Sequence, residues 1–263
     1  MSVEHLPKKK RKVSFNLSDH IILVYGPPGV GKTTWASRFP DALFLATEDG
    51  QRAVECYHVE VNDWKDFVAA TKLIRGKEGK RFRTIIIDIV DNLYKFAQDA
   101  ACAKLGIEHP ADEDWGKGWE ATRDLFKKGI SALTSTGKGL ILISHSMERE
   151  VKTRALSITK TMPSFSRGAA KVIEPMAGII VYAGFKWVKN KKTDEKEEKR
   201  YAIVKPQESL EAKDRTGRLP TALPLDGDLF QEVFEKGGTG KKKKGSKSRA
   251  KKKKKSGGLR IGR

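Results

Sequence analysis

The sequence predicts an α/β fold, in which a mostly parallel sheet is flanked by helices and followed by a C-terminal antiparallel hairpin. Short apolar runs bounded by turn residues alternate with helical patterns, as is typical of parallel-sheet proteins. Residues 84–87 and 140–143 are almost continuously apolar, which is expected for strands covered on both faces. The chain has 263 residues, of which 38% are hydrophobic, so it can form one such domain with its own core.

The individual elements follow from these patterns. The predicted strands of the sheet cover residues 21–25, 43–46, 84–87 and 140–144. The predicted helices cover residues 33–39, 62–75, 93–105, 119–136 and 229–236. Asn62 is the expected cap of the second helix, with Gly76 as its stop. Residues 178–189 and 199–205 have the composition of a hairpin whose strands are joined by the charged run 190–198.

The most informative motif lies between the first strand and the first helix and fits G-x-x-x-x-G-K-[ST]. Glycines let such a loop fold around a phosphate, which then faces backbone N–H groups and the start of the following helix. The candidate nucleotide-binding residues are Gly26, Pro27, Pro28, Gly29, Val30, Gly31, Lys32, Thr33 and Thr34. The motif predicts a triphosphate site, and the alternative is a Gly/Pro turn that binds nothing.

ATP and Mg²⁺ are the cofactors that this motif implies. Lys32 would reach the β- and γ-phosphates, and the Thr33 hydroxyl would ligate Mg²⁺. Asp88 directly follows the apolar strand 84–87, so it is the expected Walker-B carboxylate and the second metal ligand. Asp91 is expected to cap the helix that follows.

Two further residues are candidates for the chemistry at the γ-phosphate. Many AAA+ ATPases carry a glutamate directly after the Walker-B aspartate, but this chain has Ile89 there. Glu48 follows the second strand, where RecA-like ATPases carry their glutamate; it is either the catalytic base or a solvated loop acid. His145 follows the strand 140–144 and is either a γ-phosphate sensor or a polar residue satisfied by neighbouring backbone.

Positive charge is concentrated in a few segments. Residues 147–171 contain six Lys/Arg and are predicted to be a long loop that responds to nucleotide or tracks a DNA backbone; the alternative is a mobile surface loop. Of the formal net charge of +20, residues 1–12 carry +4 and residues 237–263 carry +13. Such ends usually contact polyanions, and the alternative is a solvated tail.

The remaining features set the domain boundaries and the expected environment. The expected division is a basic arm over residues 1–18, a nucleotide-binding domain over 19–236 and a disordered Lys-rich tail over 237–263. Residues 7–13 match a short basic nuclear-import signal, either as an appended tag or as a natural arm. Two cysteines are too few for a disulfide framework, which favours a reducing compartment. No apolar run approaches the roughly 18–20 residues of a membrane span, so no membrane partner is expected.

The order of the motifs resembles that of phage-encoded P-loop nucleotide-binding proteins, including the RecA-like, core-only recombinases of the Sak type. The motifs that carry the resemblance are residues 26–33, Thr47-Glu48, Asp88, Trp115-Gly116-Lys117-Gly118-Trp119, His145 and residues 212–217. The resemblance covers residues 19–225. It implies a RecA-like ATPase that binds single-stranded DNA and helps to pair complementary strands.

The resemblance also implies partners. RecA-like proteins assemble head to tail, so a homo-oligomer is implied in which a neighbour completes the ATP site. Lys213 and Arg215 match the Lys-x-Arg pair that acts in trans in some relatives, and the alternative is a basic turn. Single-stranded DNA would contact residues 147–171 and the tail at 241–255, and a single-strand-binding protein is a further expected partner.

Two other functions share the phosphate loop. One is a DNA-binding module that uses ATP only as an assembly switch, and the other is a P-loop kinase or motor ATPase. The expected location is the cytoplasm of a bacterial host, or the nucleus of a eukaryotic cell if residues 7–13 act as an import signal there.

Overall fold

The structure is a computed structural model and describes residues 14–48, 54–152, 157–189 and 196–237. The strands are β1 (Ile21–Gly26), β2 (Ala42–Ala46), β3 (Tyr57–Glu60), β4 (Thr84–Asp88), β5 (Gly139–Lys152), β6 (Ser157–Pro163), β7 (Ile179–Lys189), β8 (Lys196–Ile203), β9 (Lys213–Asp214) and β10 (Ala222–Pro224). The α-helices are α1 (Lys32–Ser37), α2 (Trp64–Arg75), α3 (Val90–Leu105), α4 (Lys117–Thr134), α5 (Arg167–Met176) and α6 (Gly227–Lys236).

The main sheet has the strand order β10-β8-β7-β1-β5-β4-β2-β3, with β6 paired to β5 and β9 paired to β7. All pairings from β7 across to β3 are parallel. The pairings of β7 with β8 and of β8 with β10 are antiparallel. The predicted fold class is therefore confirmed: a mostly parallel sheet flanked by helices, with an antiparallel hairpin towards the C-terminus.

Apolar side chains cover both faces of the sheet. Along β1, Leu23 faces a core formed with α2, α3, α4 and α5, while Ile22 and Val24 face a second core formed with α1 and α6. This alternation follows from the two-residue period of a strand. Burial on both faces explains why the central strands are continuously apolar. No helix in the described ranges combines the length and hydropathy needed to cross a membrane.

The prediction of a loop over residues 147–171 is wrong. The strand β5 runs on past the sheet to Lys152 and pairs antiparallel with β6, from Ser146 opposite Pro163 outwards. Helix α5 then begins at Arg167. This extension is only partly buried and mixes charged and polar residues with apolar ones such as Met147, Val151 and Ile158, so it lacks the continuous apolar signal of a buried strand.

Smaller expectations also need correction. Asp63, not Asn62, caps α2 by accepting a hydrogen bond from the Asp66 N–H. Asp91 does not cap α3, because it lies in the first turn of that helix. Leu17 is buried in the core, so the folded body begins before residue 19.

Some expectations concern segments that the structure covers only in part. The last residues of the charged run 190–198 belong to strand β8. The basic segments at residues 7–13 and 241–255 lie outside the described residues.

Candidate nucleotide site

Neighbouring parallel strands end at one edge of the sheet, and most of the predicted site residues lie there. Asp88 is the last residue of β4 and lies opposite Ala46 of β2, two residues before Glu48. On β5, His145 is in register with Gly26, where the phosphate loop begins. The fold thus brings the loop, Asp88, Glu48 and His145 to a single edge, as expected where parallel strands bind ligands.

The backbone of the phosphate loop depends on glycine at particular positions. Gly29 and Gly31 have φ angles of 74° and 101°, which other residues rarely adopt. A Cβ atom on Gly26 would lie 2.0 Å from the carbonyl oxygen of Ala183 on β7, so only glycine allows this close approach. A Cβ atom on Gly29 would meet nothing within 4 Å, so at that position the positive φ angle, and not a close contact, favours glycine.

Lys32 lies inside the loop rather than on its surface, with only 6% of the residue exposed. Its ammonium donates hydrogen bonds to the carbonyl oxygens of Gly26 at 2.9 Å and Pro27 at 3.0 Å. Burial lowers the pKa of Lys32, while the carboxylates of Asp88 and Glu48 oppose that shift. The ammonium group is therefore held in the loop, close to the acidic residues of the site.

The Thr33 hydroxyl and the Asp88 carboxylate meet directly. Thr33 Oγ1 donates to Asp88 Oδ2 at 2.9 Å, although the two residues are 55 positions apart in the chain. Asp88 is buried. The described residues contain no group of three or more His, Cys, Asp or Glu side chains that could hold a metal alone. Two hard oxygen atoms beside a phosphate loop fit Mg²⁺, which proteins usually bind together with substrate phosphates.

Thr47 fixes the end of β2 against the end of β4, a role that the sequence analysis missed. Its hydroxyl donates to the Ile89 carbonyl and accepts from the Ile89 N–H, both at 2.8 Å. Its own N–H donates to the Asp88 carbonyl at 2.8 Å, and Asn92 donates to its carbonyl at 3.2 Å. Because Glu48 is the next residue, these bonds fix the backbone position from which its side chain extends.

Glu48 and His145 approach each other across the site. His145 Nε2 lies 4.0 Å from Glu48 Oε2, and about one third of each side chain is exposed. The other ring nitrogen, Nδ1, is buried and has no hydrogen-bond partner among the described residues. A carboxylate and an imidazole at this distance can act together on one water molecule or one phosphate oxygen.

Ser164, which follows β6, ties the β5–β6 hairpin to this site. Its N–H donates to the His145 carbonyl at 3.0 Å, and its hydroxyl donates to Asp91. The other Asp91 carboxylate oxygen is buried without a hydrogen-bond partner in the described part of the chain. Neither role was predicted, because the two residues are 73 positions apart.

Lys213 and Arg215 lie towards the other end of the parallel strands, where β7 begins. Strand β9 pairs with the beginning of β7, where Lys213 is opposite Ile180, and the Arg215 N–H donates to the Gly178 carbonyl. Lys213 donates to the Glu174 carbonyl on α5, whereas Arg215 is exposed. The structure therefore does not bring this pair to the phosphate loop of the same chain.

The fold and the site together define a P-loop nucleotide-binding domain. The sequence model of the AAA domain family matches residues 18–216, so the chain belongs to that family. Over 244 residues the chain is 25% identical to the SPbeta prophage-derived uncharacterized protein YorG of Bacillus subtilis (strain 168), covering 90% of this chain and 71% of that protein. The KaiC-like protein PH0186 of Pyrococcus horikoshii OT3 superposes with a TM-score of 0.42 and 16% identity, over 71% of this chain and 78% of that one.

Proposed function

We propose that this protein is a RecA-like ATPase of the Sak type that hydrolyses ATP with Mg²⁺, binds single-stranded DNA and promotes strand annealing. The observation that carries the ATPase part is the 2.9 Å contact between the Thr33 hydroxyl and the buried Asp88 carboxylate, at the mouth of a glycine-rich loop. This arrangement serves a metal-bound triphosphate and gives a plain turn no advantage. Similarity to a prophage-derived protein supports a phage origin.

The chemistry divides among a few side chains. Lys32 would exchange its loop carbonyls for the β- and γ-phosphates, and Thr33 and Asp88 would hold Mg²⁺, which would supply positive charge to the phosphates. Glu48 orients the attacking water and accepts its proton. His145, beside Glu48, donates a hydrogen bond to the γ-phosphate. Arg215 of a neighbouring subunit stabilises the charge of the transferring phosphoryl group.

Single-stranded DNA fits the basic side of the β5–β6 hairpin. A cavity of about 310 Å³ lies between this hairpin and α5, and Arg149, Arg167 and Lys171 all line it. Among the described residues, Glu174 is the one acid that also lines it, so the three cations leave an excess of positive charge, which favours a phosphate backbone. Phe165 is buried and provides no stacking surface, whereas Trp187 is 63% exposed. The Ser164 contacts give DNA two physical routes to the site: the Ser164 N–H leads to His145, and the Ser164 hydroxyl leads to Asp91 at the start of α3.

ATP turnover with and without single-stranded DNA tests this proposal. The wild-type protein should release phosphate, and DNA should accelerate the release. Glu48→Gln should keep ATP binding and lower turnover by about 10²–10⁴-fold, because it removes a general base. Glu60→Gln, on the exposed edge strand β3, is the matched control and should turn over ATP normally.

Other outcomes favour the alternatives. Turnover that is equal in Glu48→Gln and the wild type would contradict the assigned base. Annealing that survives Glu48→Gln would favour the assembly switch. Phosphate that appears on an acceptor instead of in solution would favour a kinase.

A further inference from the structure

The direction of a bound nucleotide follows from the strand order. Asp88 on β4 and His145 on β5 lie on one side of β1, and they mark where the γ-phosphate reacts. On the other side of β1 lie β7 and then β8. A triphosphate that runs along the loop with its reacting end towards Asp88 must carry its nucleoside towards β8.

A cavity of about 180 Å³ lies on that side, next to the loop. Helix α1 contributes Thr34 and Arg38, and the loop itself contributes Gly31. Strand β8 contributes Arg200, and the start of α6 contributes Asp228. Because Gly31 belongs to both the loop and the cavity, a nucleotide held by the loop reaches the cavity directly.

Arg200 is the residue that joins the hairpin β7–β8 to this cavity. A Cβ atom built on Gly31 would lie 3.2 Å from Arg200 Nη1, so the guanidinium lies against the loop. Its Nε donates to Glu198 Oε1 at 3.2 Å, and about half of the side chain is exposed. A guanidinium is planar and carries five N–H donors, so it can stack on a base or donate to base and ribose oxygens.

We propose that this cavity takes the nucleoside end of the nucleotide and that Arg200 contacts the nucleoside in the same subunit. The proposal rests on the proposed function, and it makes the ligand a nucleoside triphosphate and not an inorganic polyphosphate. The cavity is smaller than the roughly 300–1,000 Å³ of most ligand pockets, so it covers the nucleoside only in part. Arg200 therefore supplies a large share of the nucleoside contact.

Two ligands separate nucleoside contact from phosphate contact. Titration calorimetry would compare a non-hydrolysable ATP analogue with inorganic triphosphate, both with Mg²⁺. Arg200→Ala should weaken binding of the analogue by about tenfold, because the protein loses a charged hydrogen-bond donor that contacts only the nucleoside. Binding of inorganic triphosphate should be unchanged. Arg200→Lys should also weaken binding of the analogue, since lysine keeps the charge but lacks the planar guanidinium.

The matched control is Lys199→Ala. Lys199 is the preceding residue on β8, is exposed and does not line the cavity, so both ligands should bind this variant as they bind the wild type. Thermal melting of each variant checks that the fold is retained. If Arg200→Ala weakened the binding of both ligands equally, or weakened the binding of neither, the inference would be overturned. A wild-type protein that binds neither ligand would instead overturn the proposed function.

Discussion

Asp214 illustrates how one buried carboxylate can arrange the residues on both sides of it. It accepts a hydrogen bond from the Lys205 ammonium at 2.7 Å and further bonds from the N–H and hydroxyl of Thr216. The N–H groups of Gly217 and Leu219 also donate to it. The turn that presents Lys213 and Arg215 is therefore held by the acid between them.

Asp214→Asn should destabilise the protein by about 2–4 kcal/mol at neutral pH, because it removes a charge that several donors share. Burial alone would raise the pKa of Asp214, but the hydrogen bonds from Lys205 and Thr216 outweigh it and lower the pKa. A lowered folded pKa gives stability that is present above about pH 4 and is lost as the pH falls through the folded value. Urea unfolding at several pH values measures this effect.

The control for this prediction is Asp99→Asn, which changes an exposed acid on α3 and should leave unfolding unchanged. The difference in stability between the wild type and Asp214→Asn should shrink in acid. A difference that stays constant down to about pH 3 would show that the charge of Asp214 is not what stabilises the turn.

Among individual residues, the sequence predicted the roles of those that belong to a local motif. The phosphate loop, including Lys32 and Thr33, is such a motif, and Asp88 is marked by the apolar strand before it. Thr47 and Ser164 carry no such mark, because their partners come from other elements. The burial of Lys32 also has no local signal, since it results from how the loop folds over its own lysine.

At the scale of elements, predictability depends on burial. Strands β1, β2 and β4 are buried on both faces, so their apolar runs predict them. Strand β3 was missed because it is the edge of the sheet and all four of its residues are exposed. The β5–β6 hairpin was missed for a related reason, since much of it extends beyond the core.

Ser164→Ala should uncouple DNA from ATP turnover, because the hydroxyl that bonds Asp91 is lost while the N–H that supports His145 remains. We expect the stimulation of turnover by single-stranded DNA to fall by at least about tenfold, which is roughly the effect of one hydrogen bond to a charged group. Turnover without DNA should change less. The measurement is the ratio of phosphate release with and without DNA.

Ser157→Ala at the other end of β6 is the control, since Ser157 bonds the exposed Glu150 on the same hairpin. Equal losses of stimulation in the two variants, or none in Ser164→Ala, would rule out Ser164 as the link between the hairpin and the site.

At the scale of the whole molecule, each chain carries its phosphate loop at the carboxyl ends of the parallel strands and the Lys213–Arg215 pair near the start of β7. Within a single subunit this pair therefore lies away from the phosphate loop. Head-to-tail assembly would bring the phosphate loop of one subunit next to the Lys213–Arg215 pair of its neighbour, which is the physical basis for proposing action in trans. The sequence predicts the fold of one subunit from its apolar pattern, but no comparable pattern marks the surface between subunits.

Mixing two inactive variants tests action in trans. Arg215→Ala should lose roughly 10³-fold in turnover as the sole subunit, as expected for an arginine that stabilises phosphoryl transfer. Lys32→Ala should be inactive because its own loop is damaged. Mixed oligomers should regain activity, because Lys32→Ala subunits supply Arg215 to intact loops. Substituting the double variant Lys32→Ala/Arg215→Ala for Lys32→Ala should abolish the rescue, and mixtures without any rescue would contradict the trans arrangement.

The proposed ATPase activity depends on a triphosphate pocket formed by the loop around Lys32 and completed by Asp88. Its most direct test is calorimetric binding of a non-hydrolysable ATP analogue with and without Mg²⁺. We expect wild-type binding to require Mg²⁺, Asp88→Asn to lose most of that requirement, and Lys32→Ala to bind at least about tenfold more weakly. Wild-type binding that does not depend on Mg²⁺ and survives both substitutions would contradict a pocket of this kind.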